Sequence, residues 1–282
     1  MTPVKAIPVQ TVLDSIGINT HLGFAKYGYQ DISTTASAIN YLGIKNLRDC
    51  PDSPACVGKT GLWQRISDAT GAKFCAYMTE GSKARDVADL GFTMQFATQG
   101  ILNAVEGGNE NDDTYAISQG NSIAWTAAFQ KQVFAAGKAL GLPVINMSFG
   151  TGWTAANNWH GDYDKVGDLS PYCDYGNAHT YPIVGQGVDA TMRRLNDDAK
   201  LAAPARPVIT TEIGWDDAAF SPATIARFVL FAVLDGIKNG NVKTYFYALF
   251  DDASGRFGLM NADGSSKPAG AALHNLAAIL AD

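Results

Sequence analysis

The chain has 282 residues, with 21 basic against 27 acidic side chains and a net charge of −6. Hydrophobic residues make up 46% and charged residues 17%, against about 25% charged in an average soluble domain, which excludes a disordered chain. Lys and Arg are few and scattered, which excludes a nucleic-acid partner, and no run of about 18 apolar residues offers a membrane span.

Short apolar or β-branched runs alternate with longer helical patterns. Strands are predicted at residues 16–21, 44–49, 73–78, 101–106 running on to Glu110, 143–148, 175–179, 207–212 and 244–250. After the first run, Ile32, Ala36, Ile39 and Leu42 recur at helical spacing. After the fourth, Trp125, Phe129, Val133, Ala136 and Leu140 do the same, and Gly141 with Pro143 beyond it ends that helix. Ser221-Pro222 reads as a cap followed by Pro at the first helical position, with Ile225, Phe228, Val229 and Ala232 as the buried stripe behind it. A last helix is predicted over residues 270–281.

Eight strand–helix alternations without a linker predict one (β/α)8 barrel, a TIM barrel in the α/β class, over residues 1–282. A doubly wound sheet would carry a Gly-rich phosphate loop after its first strand. Ile18-Asn19-Thr20-His21-Leu22-Gly23 is no such loop, and no P-loop occurs elsewhere.

The four cysteines form no Cys-x-x-Cys pair, which argues against a structural zinc site. Cys50 and Cys56 lie six residues apart, so a local disulfide and two thiols are both open readings. Cys75 and Cys173 sit in apolar runs and read as buried thiols. Met1-Thr2-Pro3-Val4 lacks a charged n-region and an apolar h-region, so no signal peptide is read there. Low charge and the Cys50/Cys56 pair nonetheless suggest a secreted or periplasmic protein, present here as a mature fragment with an added Met.

The acidic residues are 23 Asp and only four Glu: Glu80, Glu106, Glu110 and Glu212. Glu is a good helix former and normally abundant on surface helices, so its scarcity marks these four. A barrel's active site lies at the C-terminal ends of its strands. The polar residues there are Asn19 and His21, Arg48 and Asp49, Glu80, Asn109 and Glu110, His179 and Tyr181, Glu212, and Asp251 with Asp252. Glu110 and Glu212 end the fourth and seventh strands, about three βα units apart, so they face each other across the mouth. Two facing carboxylates suit glycosidic cleavage: one donates a proton to the departing oxygen, and the other attacks the anomeric carbon or activates a water. Glu106, inside the fourth strand, reads as a buried ion-pair partner of Arg48, and Glu80 as a loop charge. His160 and His274 read as surface residues. Asp251 and Asp252 read as loop caps, with a calcium site the weaker alternative.

Val105-Glu106-Gly107-Gly108-Asn109-Glu110-Asn111, His179-Thr180-Tyr181-Pro182 and Ile209-Thr210-Thr211-Glu212-Ile213-Gly214-Trp215 occur in that order, each at a predicted strand end. Together with Arg48 and the tail from Arg256 to Pro268, they resemble glycoside hydrolase clan A, the retaining (β/α)8 glycosidases, over nearly the whole chain. The resemblance implies Glu110 as acid/base, Glu212 as nucleophile and Asn109 as the ligand of the sugar 2-hydroxyl. It implies Arg48 and Tyr181 as donors to Glu212, and His179 in the same shell. His21, Trp215, Trp153 and Phe250 complete the expected substrate contacts, with Trp159 a further stacking candidate. A Trp often ends the eighth strand in the clan; here either Phe250 substitutes for it or the platform comes from elsewhere. No metal or cofactor is expected, and the expected partner of a monomer is a β-linked poly- or oligosaccharide, cut in endo fashion because no inserted loop is long enough to close a pocket. A transglycosylase and a non-catalytic sugar-binding barrel are the alternatives. A barrel esterase or metal hydrolase lacks its motifs here.

Overall fold

The computed structural model describes residues 6–51, 56, 61–79, 81–97, 100–150, 161–182 and 184–281. Eight parallel strands are formed: β1 (Ile16–Asn19), β2 (Asn46–Asp49), β3 (Lys73–Met78), β4 (Leu102–Gly108), β5 (Val144–Ile145), β6 (Gly176–His179), β7 (Val208–Ile213) and β8 (Thr244–Phe246). They lie in the order β5-β4-β3-β2-β1-β8-β7-β6. Ile145 bridges Tyr175 in parallel, so the two outer strands meet and the sheet closes into a (β/α)8 barrel.

Helix α1 (Val9–Asp14) precedes the barrel, and α2 (Ile32–Leu42), α3 (Leu62–Thr70), α4 (Lys83–Ala97), α5 (Thr114–Ser118), α6 (Ile123–Ala139), α7 (Val188–Ala202), α8 (Pro222–Lys238) and α9 (Pro268–Ala281) follow in turn. Their starts obey local chemistry. Asp31 accepts from the Ser33 N–H, Ser122 from Trp125 and Ser221 from Thr224, filling donors that a first helical turn leaves open. Gly141, at φ +69°, turns the chain after α6 in the left-handed region, as the Gly–Pro signal predicts. The described part of the β5–β6 connection holds two 3-10 turns, Asp162–Lys165 and Ser170–Tyr172. Among the described residues no helix is long and apolar enough to cross a membrane.

Strand side chains alternate between the helix-facing shell and the barrel interior. Ile18, Leu47, Phe74 and Phe246 pack outward with Ile39, Trp63 and Val229 of the helices. One interior cluster is apolar and consists of Cys75, Ala104, Ile145, Ile209 and Tyr245. Two residues beyond Ala104 on β4, the same face carries Glu106. The interior therefore changes from apolar to polar along the strands, toward the end where the loops gather. Cys50 and Cys56 are both buried thiols, and the Cys50 Sγ donates to Asp89 Oδ2 at 3.5 Å; the thiol reading of that pair holds rather than the disulfide.

Candidate active site

The polar layer is built on Arg48, which is fully buried. Its Nε and Nη2 donate to the two oxygens of Glu106, each at 2.8 Å. Nη2 also donates to Asn109 Oδ1 at 2.6 Å, and Nη1 to Asn19 Oδ1 at 2.7 Å and to Glu212 Oε1 at 2.6 Å. All five guanidinium N–H groups are thereby used. Burial opposes the charge, but Glu106 and Glu212 outweigh it and hold Arg48 well above its usual value. Asn177 donates to Glu106 Oε1 at 2.8 Å, and Thr211 Oγ1 donates to Asn177 Oδ1 at 2.6 Å. The Arg48–Glu106 pair expected from the sequence is thus present and locked from a third strand.

Strict alternation would send Glu212 to the face opposite Thr211. The pairing of β7 with β8 shifts register between Thr210 and Ile213, and both residues join the interior network. Such irregularities re-aim side chains next to functional sites. Glu212 is held by Arg48 on Oε1 and by the Tyr181 hydroxyl, which donates to Oε2 at 2.6 Å. Burial alone would push its carboxyl up, but the His179 and Arg48 charges and the Tyr181 hydrogen bond hold it below the usual carboxylate range.

Glu110 follows β4 at φ +45°, in the left-handed region that non-glycine residues seldom adopt. Two strand-like contacts force this geometry: the Asn109 N–H donates to Met78 O at 2.8 Å, and the Glu110 N–H to Ser148 O at 3.1 Å. Space is also tight. A Cβ on Gly150 would lie 2.7 Å from the Glu110 carboxyl carbon, so a side chain there would push the carboxyl group aside. Glu110 Oε1 is 2.6 Å from His179 Nδ1, and the same nitrogen is 3.7 Å from Glu212 Oε2. His179 is buried, and burial opposes its charge, yet Glu212 and Glu110 raise its pKa above the usual value. Its Nε2 has no hydrogen-bond partner among the described residues.

The ligand atoms of Glu110, His179 and Glu212 all lie within 4.8 Å of one another. They are the group among the described residues with the spacing to grip a metal ion; Arg48 and Tyr181 already hold Glu212 from the other side. A cleft of about 610 Å³ opens above them. His21, Asn109, Tyr181 and Trp215 border it, as the sequence suggests. His21 stacks flat on Phe24 at 4.7 Å, and its Nε2 is 3.3 Å from Asp252 Oδ2. Burial keeps the His21 imidazole below its usual pKa against the pull of Asp252. Trp215 is only 2% exposed and packs on Phe228, so it bounds the cleft without offering an open ring face.

Phe250 is misplaced by the sequence reading. It is fully buried and packs edge-on against Tyr29 at 5.0 Å, away from the cleft. The eighth strand stops at Phe246, four residues short of its predicted end, so the aromatic at the rim is Tyr247. Its hydroxyl donates to Asp252 at 2.8 Å, its ring sits 5.8 Å from Phe257, and its peptide bond to Ala248 is cis. Phe24, Phe220 and Phe257 also line the cleft and escaped the sequence reading, because loop aromatics carry no periodic signal. Asp251 is paired with Lys267 and accepts from the Gly258 N–H, a loop-fastening role. Glu80, Trp153, Trp159 and His160 lie outside the described residues.

No protein-family model matches the chain, and no curated protein sequence does. Solved structures do. GH5_18 from Bifidobacterium longum subsp. longum ATCC 55813 superposes with a TM-score of 0.69 at 15% identity, over 95% of this chain and 79% of that one. A glycoside hydrolase family 17 β-1,3-glucanosyltransferase from Rhizomucor miehei gives 0.66 at 15% identity, over 93% and 97%. A family 39 glycoside hydrolase from the gut symbiont Bacteroides cellulosilyticus WH2 gives 0.62 at 16% identity, over 98% of this chain and 66% of that one. The likeness shows the fold, a (β/α)8 barrel like those of these glycoside hydrolases.

Proposed function

We propose that this barrel is a retaining glycoside hydrolase that cuts a β-linked polysaccharide in endo fashion. The observation that carries the reading is the spacing of the two carboxylates. Oxygens of Glu110 and Glu212 lie within 4.8 Å of each other. Carboxyl groups about 5–5.5 Å apart suit double displacement, whereas inversion needs about 6.5–9.5 Å to seat a water.

In the first step Glu212 attacks the anomeric carbon as the glycosidic C–O bond breaks, and Glu110 passes its proton to the leaving oxygen. A glycosyl ester on Glu212 results. In the second step Glu110 takes a proton from water, whose oxygen bonds to the anomeric carbon and expels Glu212 with retained configuration. The lowered pKa of Glu212 keeps it ionised for attack. Because Asn109 Oδ1 already accepts from Arg48, its amide group is the part that donates to a sugar hydroxyl. Aromatic rings from the loops after β1, β7 and β8, namely Phe24, Phe220 and Phe257, flank an open cleft suited to a chain substrate.

Replacing Glu212 by Ala is expected to lower turnover by more than about 10³-fold. Azide, a small substitute nucleophile, is expected to restore cleavage and yield a glycosyl azide of inverted configuration. Full activity of this variant on defined β-glycans would dismiss the reading. Transfer to a sugar acceptor is a second reading, favoured by the likeness to the Rhizomucor miehei glucanosyltransferase. Products formed at high acceptor concentration separate the two, since longer chains arise only by transfer.

A further inference from the structure

The charges around the cleft are one-sided. Asp49, Asp113, Glu212 and Asp216 border it beside Glu110, which carries its proton when substrate binds, and among the described residues no Lys or Arg does. Asp252, joined to His21 and Tyr247, stands just behind the rim. The cations below it, Arg48 and the His179 imidazole, are sealed from solvent and already paired, Arg48 with Glu106 and Glu212 and His179 with Glu110. Lys267 and Arg256 lie in the βα8 loop but are tied to Asp217 and Asp251, and they border a separate pocket on the far side of Trp215. Among the described residues the apolar surfaces at the cleft include the rings of Phe24, Phe220, Tyr247 and Phe257, which suit the C–H faces of a pyranose and carry no countercharge.

Resting on the hydrolase reading, we propose that the cleft selects uncharged sugar units and rejects, by charge, glycans that carry carboxylate or sulfate groups beside the cleaved bond. An anionic unit enters a space edged by several carboxylates and walled by low-dielectric protein, where like charges are weakly screened. Among the described residues no arginine or lysine is placed to pair with it, and a carboxylate or sulfate recognised by a protein normally meets such a partner. A neutral unit loses nothing to this field. The (β/α)8 scaffold leaves substrate charge undecided, because the loops decide it, and in this chain the described loops are acidic.

The test uses a neutral β-linked oligosaccharide and the same chain oxidised at C6 to carry carboxylates. Binding of both is measured by calorimetry on a Glu110→Gln variant, and cleavage of both on the unaltered enzyme. The oxidised chain is expected to bind and react at least tenfold less well at low salt. That ratio is expected to shrink with added salt and again in Asp216→Asn, whose amide oxygen still accepts the Ala218 N–H that Asp216 accepts. Equal binding of the two chains would overturn the proposal. So would a gap that neither salt nor Asp216→Asn narrows, since that pattern means shape rather than charge rejects the oxidised chain. Unequal binding with no cleavage of either chain would count against the hydrolase reading and leave the charge selection standing.

Discussion

At the end of β7 the Glu212 side chain is 9% exposed and is gripped by Arg48 and Tyr181; at the end of β4 the Glu110 side chain is 25% exposed and rests against His179. The same functional group thus sits in two settings. A nucleophile has to stay ionised and aimed, which fixed donors secure. An acid that becomes a base has to exchange its proton with substrate and water, which needs access and a lighter hold. The asymmetry supports the two roles proposed above, and it is open to direct attack.

The largest effect is expected from Arg48→Met. Glu106 then stays buried without its partner, a loss of about 3–5 kcal/mol, read as a fall in the urea midpoint. Glu212 loses a cation in the same change, so activity falls together with stability. Gly150→Ala is aimed at Glu110 alone. The new Cβ meets the Glu110 carboxyl at 2.7 Å, and a displacement near 1 Å is expected to lower kcat by about 10²-fold. In kcat/KM, which reports the first step, this loss should be large on a natural glycan and small on an aryl glycoside whose leaving group needs no proton; equal losses in kcat/KM on both would show that Glu110 is not the acid.

Tyr181→Phe is expected to have the smallest effect, about tenfold in kcat, from one charge-assisted hydrogen bond. Its pH signature is the sharper readout. Tyr181 helps to hold the Glu212 pKa down, so its removal raises that pKa. Attack requires the ionised form, and the acidic limb of kcat/KM against pH therefore moves to higher pH. The same sign governs stability: what ionised Glu212 contributes is present above the unfolded carboxylate value and is lost as pH falls through the lowered folded value.

Much of the fold was legible. The eight runs and the caps at Ser221 and Gly141 are local signals, and they sit where the strands and helices form. Arg48, Asn109, Glu110, His179, Tyr181 and Glu212 were legible as strand-end residues, and the structure brings them into one cluster. Phe250 was misread because an apolar run of seven residues signals burial without saying where pairing stops. Trp215 was read as a stacking surface, but Phe228 of α8 covers it, and that contact depends on how the helix docks.

The order of elements, their periods and the scarcity of glutamate were determined by the sequence alone, because each is a property of neighbouring residues. The meeting of residues 110 and 212 was decided only when Ile145 reached Tyr175 and the sheet closed. The inward turn of Glu212 was decided by the register shift in β7, and the left-handed bend at Glu110 by pairing with Met78 and Ser148 on either side. Hydrogen bonds between distant strands set these features, and no local pattern of side chains encodes which strand will be the neighbour.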